Sequence, residues 1–550
     1  MYIEKLLLDT DKKEIKAFAI STATVASSSV LLLYTINNAA ESTSRPLPQL
    51  SQSNDALIFI IALILFSISS RTAYTTASHA VSRKLLELRM KLINAVTSSD
   101  LATIENLGAQ TLFSIISHKT EHLANNLSAL VLALQNCVIL SFALAYVFYI
   151  SLAGGTLFVA SATAGVLLYY IYKRNNEKAD ADRSAIEREA ADFVSNFTDG
   201  FQEMRLNQHR EDAMFCEFLS LSTKLREVTV STSRYWANIT LFSNAYLFAL
   251  LGISVTVMPI FFESFSDDTY KIITATIFMI GPLIGISSSI PLYNESEQGI
   301  QSTVELIDYL DNLSRRNGEN SYPVTAKNLE ILESISLDSI AYEYKTPNNL
   351  GNGFSIGPIT ITIKSGETIF ISGGNGSGKS TLLKVMTGLY EASSGSFSVN
   401  KSPTSSKSRD YRNLYSALFT DFYLFHKIYG IDDINLERAD NILSDFNLDK
   451  KVRLVKRTLS TTALSTGQRK RLATLQMLLE DRQVLIFDEW AADQDEHFRN
   501  YFYKTMLPTL KAQGKTLIVV THDDRYWHLS DRLFRMDAGT LSEITQNGVA

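Results

Sequence analysis

The chain has 550 residues, enough for two or more domains, and its mean hydropathy of +0.04 averages over two halves of opposite character. Its net charge of −6 is modest and spread along the sequence, which argues against nucleic acid as a partner. The two cysteines, Cys137 and Cys216, form no CxxC pattern, so the composition also argues against a disulfide framework and a zinc site.

Six long apolar stretches occupy the first half of the chain. Each has about the 20 residues that a helix needs to cross a hydrocarbon core of about 30 Å. The first exceeds the apolar part of a signal peptide, so we predict a retained helix. Buried helices of a soluble core are the alternative, but such helices run shorter and carry a polar face. The stretches lie at Ala17–Ile36, Ala56–Thr76, Leu127–Ile150, Ala153–Tyr172, Tyr235–Phe262 and Ile272–Leu292.

Lysine and arginine counts orient these spans in a lipid bilayer. The amino-terminal tail has four, the segment 77–126 has five and Lys173–Arg234 has ten, whereas the alternate connections have one, none and one. Basic loops tend to face the cytoplasm, so we predict that both termini and both long connections are cytoplasmic. Helical spacing in the first connection predicts a shared apolar side formed by Val81, Leu85, Leu88, Leu92 and Ile93.

The tips of the two connections, Ser98–Gly108 and Ser195–Asn207, would then point toward a cytoplasmic domain. After Leu292 the composition changes to a polar segment with glycine and proline, followed by a soluble α/β pattern. We therefore predict a membrane domain over 1–310, a linker over 311–327 and a soluble domain over 328–550.

A phosphate-binding loop follows a short apolar strand in the soluble domain. Residues 367–390 have the sequence ETIFISGGNGSGKSTLLKVMTGLY, which matches G-x-x-x-x-G-K-[ST] between a strand and an amphipathic helix. Backbone amides of such a loop surround phosphate oxygens at the helix start. Lys379 would reach the β- and γ-phosphates of ATP, and Ser380 would hold Mg²⁺. The predicted ATP contacts are Gly373, Gly374, Asn375, Gly376, Ser377, Gly378, Lys379, Ser380 and Thr381.

Two adjacent carboxylates end a second apolar strand, within the sequence LIFDEWAADQDEHF at 485–498. In nucleoside triphosphatases with a phosphate loop, an aspartate at this position holds the Mg²⁺ that bridges the β- and γ-phosphates. We therefore predict that Asp488 is a metal ligand. A sharp turn after it would leave Glu489 to polarise the attacking water.

Between these motifs, Leu464–Gln468 resembles the LSGGQ signature that begins a helix in ATP-binding cassette (ABC) proteins. The order of Tyr344, phosphate loop, signature, Asp488–Glu489 and a VTHDD segment with His522 is similar to an ABC nucleotide-binding domain. The six spans resemble an exporter-type transmembrane domain. This resemblance implies a membrane protein with an all-α, six-helix ABC exporter-type transmembrane domain, followed by an α/β P-loop ABC nucleotide-binding domain.

The resemblance also implies roles for individual residues. Tyr344 would stack on adenine, His522 would touch the γ-phosphate, and Asp495 would line a dimer interface. Two positions depart from the family pattern. Thr420, which Asp421 follows, stands where most ABC domains have a glutamine before D..LF, and Thr466 replaces the second signature glycine. The signature residues implied to contact ATP bound by the other subunit are Ser465, Thr466, Gly467 and Gln468.

Segments 198–210, TDGFQEMRLNQHR, and 418–425, LFTDFYLF, resemble the bacterial cyclic-peptide and siderophore exporter group, which includes microcin and pyoverdine-type exporters. This implies a homodimer that uses ATP and Mg²⁺ to export a cyclic peptide, microcin or siderophore-like compound across the inner membrane. Two alternatives stay open. One is an exporter-shaped importer of siderophores, and the other is an ATP-gated regulatory or channel protein without net pumping.

Overall fold

The computed structural model describes residues 11–43, 51–113, 115–116, 120–160, 163, 177–253, 256, 269–316, 332–344 and 353–544. The chain divides into two compact units. The first comprises Met1–Thr97 with Gln110–Tyr309, and the second comprises Ser98–Ala109 with Leu310–Ala550. The tip of the first long connection therefore belongs to the same unit as the carboxyl-terminal half.

Long helices form the first unit, and the short helix α3 (Leu101–Leu107) belongs to the second unit. Buried apolar residues such as Val81, Leu130 and Ile300 join α2, α5 and α9 in one cluster. Hydrogen bonds also join helices, as where Asn37 Nδ2 donates to the Tyr146 hydroxyl at 3.1 Å. The helices are α1 Lys12–Thr43, α2 Ser51–Ser98, α4 Ala109–Phe113, α5 Thr120–Ile150, α6 Glu177–Asp199, α7 Phe201–Arg205, α8 Gln208–Gly252 and α9 Thr269–Arg316.

Four helices of the described chain are long and apolar enough to cross a membrane. They overlap the first, second, third and sixth predicted stretches. The two others, Ala153–Tyr172 and Tyr235–Phe262, run into residues 164–176 and 257–268, which lie outside the described part. The four segments are Lys12–Ala39, Asn54–Ser98, Ala129–Ile150 and Tyr270–Leu313.

The predicted apolar side of α2 is confirmed at Val81, Leu85, Leu88 and Leu92, which are all buried. The prediction for Ile93 is wrong, because this side chain is 43% exposed. Successive helical residues are about 100° apart around the axis, which turns Ile93 away from the side that Leu92 buries. Helix α9 continues through Asp311 to Arg316, the first residues of the predicted linker, and residues 317–327 of that linker lie outside the described part.

Two main sheets build the second unit. An antiparallel sheet has the order β2-β1-β4-β5, and a six-stranded sheet has the order β12-β11-β3-β10-β9-β6. The strands are β1 Ser334–Glu343, β2 Ser355–Lys364, β3 Thr368–Ser372, β4 Ser394–Val399, β5 Ser402–Thr404, β6 Tyr415–Leu418, β7 Leu454–Val455, β8 Thr458–Leu459, β9 Val484–Asp488, β10 Thr516–Val520, β11 Arg532–Asp537 and β12 Thr540–Ile544. The helices are α10 Lys379–Met386, α11 Arg409–Arg412, α12 Leu436–Asp445, α13 Thr466–Leu479, α14 Glu496–Tyr501 and α15 Leu507–Ala512.

The central strands of the six-stranded sheet are buried along their whole length. Every residue of β3, β9 and β10 is buried, and these strands pair in parallel. Continuous apolar runs are what parallel strands covered on both faces require. Because their carboxyl ends meet at one edge, the segments that follow the three strands lie side by side. This edge positions the candidate site.

Helix α3 is held within the second unit by apolar and polar contacts. Leu101 and Ala102 pack against the buried cluster around α10. Glu105 accepts hydrogen bonds from Lys384 Nζ at 3.1 Å and from the Tyr390 hydroxyl at 2.5 Å. Burial raises the pKa of Tyr390, so its hydroxyl keeps the proton that it donates. A single carboxylate thus joins α3 to two residues near the phosphate loop.

Glu105→Ala should therefore loosen α3. A hydrogen bond to a charged group contributes about 1.5–3 kcal/mol, and exposure of the Glu105 side chain reduces this pair to about 1 kcal/mol. We expect faster amide hydrogen exchange in 101–107 in the purified full-length protein. Glu87→Ala is the matched control, since Glu87 pairs with Lys84 within α2. Equal exchange in all three proteins would mean that the apolar contacts alone hold α3.

Candidate functional site

The segment between β3 and α10 has the backbone of a phosphate-binding loop. Gly373 has φ of 150°, and a Cβ there would lie 2.2 Å from the Met536 carbonyl oxygen. Gly378 has φ of 105° at the start of α10, where no side chain caps the helix. Backbone amides at an uncapped helix start can donate to an anion. The residue types in the predicted motif are therefore those that this backbone demands.

Lys379 lies buried within this loop. Its Nζ donates to the carbonyl oxygens of Gly373 at 2.9 Å and Gly374 at 3.0 Å. The same ammonium is 3.8 Å from Glu489 Oε1. The lysine is thus placed between the loop backbone and the carboxylate that follows β9.

Asp488 ends β9 beside the start of α10. Ser380 Oγ donates to Asp488 Oδ2 at 2.9 Å, whereas Asp488 Oδ1 is buried and has no hydrogen-bond partner among the described residues. Burial raises the pKa of Asp488, and polar groups of Ser380 and Thr420 only partly oppose this. Hydroxyl and carboxylate oxygens are ligands that Mg²⁺ prefers. A bare carboxylate oxygen beside a serine hydroxyl therefore fits the predicted metal site.

Glu489 follows Asp488 through a sharp change of direction. Its φ of 51° and ψ of 40° are left-handed, an uncommon conformation for a residue with a Cβ, so the predicted turn is confirmed. Glu489 Oε1 lies 3.0 Å from Nε2 of His522, which follows β10. Three neighbouring parallel strands thus bring the loop, the two carboxylates and the histidine together.

The two tyrosines at the end of β1 have different surroundings. Tyr344 is 37% exposed, and its hydroxyl lies 3.2 Å from Thr381 Oγ1 in the first turn of α10. Tyr342 is 8% exposed, stacks on Tyr390, and has its pKa raised to about 12 by burial. Phe354, which the sequence analysis did not single out, also borders the loop, because a Cβ on Gly378 would lie 3.1 Å from its Cζ.

The signature residues form a separate group. Ser465 precedes α13, and its side chain makes no capping hydrogen bond. Gly467 packs closely on the segment after β9, since a Cβ there would lie 2.6 Å from the Asp493 carbonyl oxygen. Asp495 accepts a hydrogen bond from the Phe498 amide at 2.9 Å and so caps α14. Among the described residues, no hydrogen bond joins Ser465–Gln468 to the phosphate loop.

Comparison with known proteins agrees with this geometry. The family model described as ABC transporter matches residues 356–492. The chain is 31% identical over 484 residues to the ATP-binding protein SyrD of Pseudomonas syringae pv. syringae, covering 84% of this chain and 83% of that protein. The chain belongs to the ABC transporter family.

Two further similarities extend over nearly the whole chain. The ATP-dependent lipid A-core flippase of Paraburkholderia xenovorans is 23% identical, with 89% of this chain and 82% of that protein covered. A solved structure, a bacterial Atm1-family ABC exporter with ATP bound, aligns with a TM-score of 0.77 at 14% identity and covers 97% of this chain and 94% of that one. The predicted fold is therefore confirmed: a helical transmembrane domain precedes an ABC nucleotide-binding domain. Family membership makes the protein an ATP-hydrolysing transporter, with ATP bound by the second domain.

Sequence reasoning missed residues of α13 that pack against the segment after β9 and so support the site. Lys470, Thr474 and Met477 recur at helical spacing on α13 and are all buried. That spacing could have placed Lys470 on an inward side, but a lysine is normally taken for a solvated residue.

Next to Thr420, the residue that departs from the family pattern, Asp421 Oδ2 lies 3.7 Å from Lys384 Nζ, which also contacts Glu105.

Proposed function

We propose that the protein is a homodimeric exporter of a cyclic peptide, microcin or siderophore-like compound across the bacterial inner membrane. The arrangement of Asp488, Glu489 and His522 around the phosphate loop carries the ATPase part of this proposal. The substrate class is supported by the resemblance of segments 198–210 and 418–425 to exporters of such compounds. The domain boundaries 1–310, 311–327 and 328–550, with the ATP-binding domain and both termini in the cytoplasm, belong to the same proposal.

The separation of the signature from the phosphate loop is the reason to propose two copies. No side chain caps α13 at Ser465, and Ser465–Gln468 make no hydrogen bond to residues 373–381 among the described residues. A second chain related by a twofold axis would place each signature against the ATP held by the other loop. Asp495, on the segment that packs against Gly467, would then lie at the interface.

Each residue of the site has a role in this proposal. Ser380 and Asp488 would hold Mg²⁺, which would neutralise phosphate charge. Lys379 Nζ, which donates to the carbonyl oxygens of Gly373 and Gly374 in this structure, would donate to the β- and γ-phosphates instead when ATP binds. Glu489 orients the attacking water and accepts its proton. An ionised carboxylate only accepts hydrogen bonds, so His522 donates from Nε2 to Glu489 and keeps it in place near the γ-phosphate.

ATPase activity of the protein in nanodiscs tests the substrate class. We expect stimulation by members of a panel of cyclic peptides and siderophores above the activity in lipid alone. Stimulation by a lipid and by no peptidic compound would overturn the proposal in favour of a lipid substrate.

Transport of the stimulating compound in inside-out vesicles tests the direction. ATP-driven uptake of the compound supports export, whereas its ATP-driven loss from the vesicles indicates import. An ATP-gated leak without accumulation indicates a channel.

Amide variants should separate the two carboxylates. Loss of a general base costs about 10²- to 10⁴-fold in rate while leaving ground-state binding intact. Glu489→Gln should therefore bind Mg²⁺-ATP, hydrolyse it slowly and accumulate with its nucleotide domains together. Asp488→Asn should instead weaken Mg²⁺-ATP binding and leave the domains apart. Hydrolysis rates and inter-domain distances measured with and without Mg²⁺ decide between these outcomes, and a parental rate in Glu489→Gln would remove Glu489 from the mechanism.

Tyr344 is proposed as the adenine platform because it is the exposed member of the pair. Stacking on an aromatic ring contributes about 1–3 kcal/mol per base, so Tyr344→Ala should raise the ATP concentration for half-maximal activity about tenfold. Tyr342→Phe is the control, because it keeps the ring that stacks on Tyr390 and removes only a hydroxyl. Titration of ATPase activity with ATP compares them. An unchanged ATP requirement in Tyr344→Ala would point to Phe354 as the platform.

A further inference from the structure

A buried ammonium group joins the signature helix to the backbone of the proposed general base. Lys470 lies on α13 and is completely buried. Its Nζ donates to the Glu489 carbonyl oxygen at 2.7 Å and to Asp493 Oδ2 at 2.8 Å. Burying an ammonium is unfavourable unless it is paired and hydrogen-bonded. A lysine at this depth therefore needs acceptors for its charge, and here they are the Glu489 carbonyl oxygen and the Asp493 carboxylate.

That carbonyl belongs to the strained residue of the site. Glu489 has a left-handed backbone, which the Cβ of a glutamate disfavours. Its amide donates to the Val520 carbonyl oxygen at 3.1 Å, and its carbonyl accepts from Lys470 Nζ at 2.7 Å and, more weakly, from the Ala492 amide at 3.3 Å. With the backbone held on both sides, the side chain is directed toward His522. Loss of the lysine would remove the shortest of these three hydrogen bonds and leave the carbonyl with the Ala492 amide alone.

Further hydrogen bonds join α13 to the same segment. Trp490 Nε1 donates to Thr474 Oγ1 at 2.7 Å, and the indole is buried. Gln494 Nε2 donates to the Gly467 carbonyl oxygen at 3.1 Å. Helix α13 therefore contacts the segment 489–494 at its first, second and third turns. A displacement at the start of the helix must displace Glu489 as well.

We propose that Lys470 is a positioning residue that makes hydrolysis at one ATP site depend on the other. This inference rests on the proposed homodimer, in which each chain offers Glu489 to its own ATP and its signature to the ATP of the partner. When Ser465–Gln468 close on the second ATP, α13 moves, and Lys470 carries the movement to the Glu489 carbonyl. The carboxylate of Glu489 is then correctly oriented only while both nucleotides are held.

Three variants of the full-length protein in nanodiscs test this role. Lys470→Met removes both hydrogen bonds but keeps an unbranched apolar side chain, and Lys470→Gln keeps one donor. Lys504→Met is the control, since Lys504 is an exposed lysine of the same domain. We expect Lys470→Met to lose about 10²-fold in kcat, with KM for ATP changed less than about twofold and a Hill coefficient near one. Lys470→Gln should lie between it and the parent, and Lys504→Met should match the parent.

The split between kcat and KM separates positioning from a structural role. A folded Lys470→Met protein with parental kcat and cooperativity would overturn the proposal. A parallel loss of ATP binding would also overturn it, because the lysine would then support the site as a whole. If thermal unfolding shows that Lys470→Met does not fold, the same criteria apply to Lys470→Gln.

Mixed dimers separate this inference from the proposed function. Two differently tagged chains are co-purified, one of them carrying Glu489→Gln, so that a single Glu489 remains active. Lys470→Met should lower the remaining hydrolysis about 10²-fold when it lies in the chain with the active Glu489, and should have little effect on the rate when it lies in the other chain. The opposite pattern would show that Lys470 acts on the signature instead. If two tags never co-purify, the homodimer is wrong, and the uniform Lys470→Met protein still decides the positioning role by kcat and KM.

Discussion

Parallel pairing of β3, β10 and β9 is the constraint on which the site depends. Every residue of these strands is buried, and their register places the end of each strand at the same edge of the sheet. The phosphate loop, the Asp488–Glu489 pair and His522 therefore meet although more than 100 residues of sequence separate the first from the second.

A set of supporting contacts holds the residues that would touch ATP. Lys470 holds the Glu489 backbone, Thr474 holds Trp490, and Gly467 packs on the segment of Gln494. On the opposite side of the loop, Glu105 joins α3 to Lys384 and Tyr390. Apart from the exposed carboxylates of Glu105 and Asp493, these polar groups are buried or half-buried, where a low local dielectric strengthens a paired charge and penalises an unpaired one. The same groups thus hold the site residues in one arrangement and disfavour other conformations of these residues.

Replacement of the family glutamine by Thr420 fits into this arrangement. Thr420 lies close enough for its polar groups to lower the pKa of Asp488, while burial raises it. The next residue, Asp421, lies within ion-pair distance of Lys384, which also contacts α3. A short threonine beside the proposed metal-site aspartate therefore occupies the place of a long amide, and the residue after it is an aspartate paired with a lysine. The charged side chains of Asp421, Lys384 and Glu105 thus connect this part of the site to α3.

The sequence by itself determined the class of protein and the motif residues. Apolar stretches of spanning length, the G-x-x-x-x-G-K-[ST] loop and a carboxylate pair after an apolar strand are local patterns, each set by a backbone requirement that one segment must satisfy. Tertiary structure decided what depends on neighbours distant in sequence. It showed that Ile93 turns outward, that Tyr342 is buried while Tyr344 is exposed, and that Lys470 is enclosed. Burial of this lysine depends on acceptors in the turn that follows β9, and no local pattern on α13 contains that information.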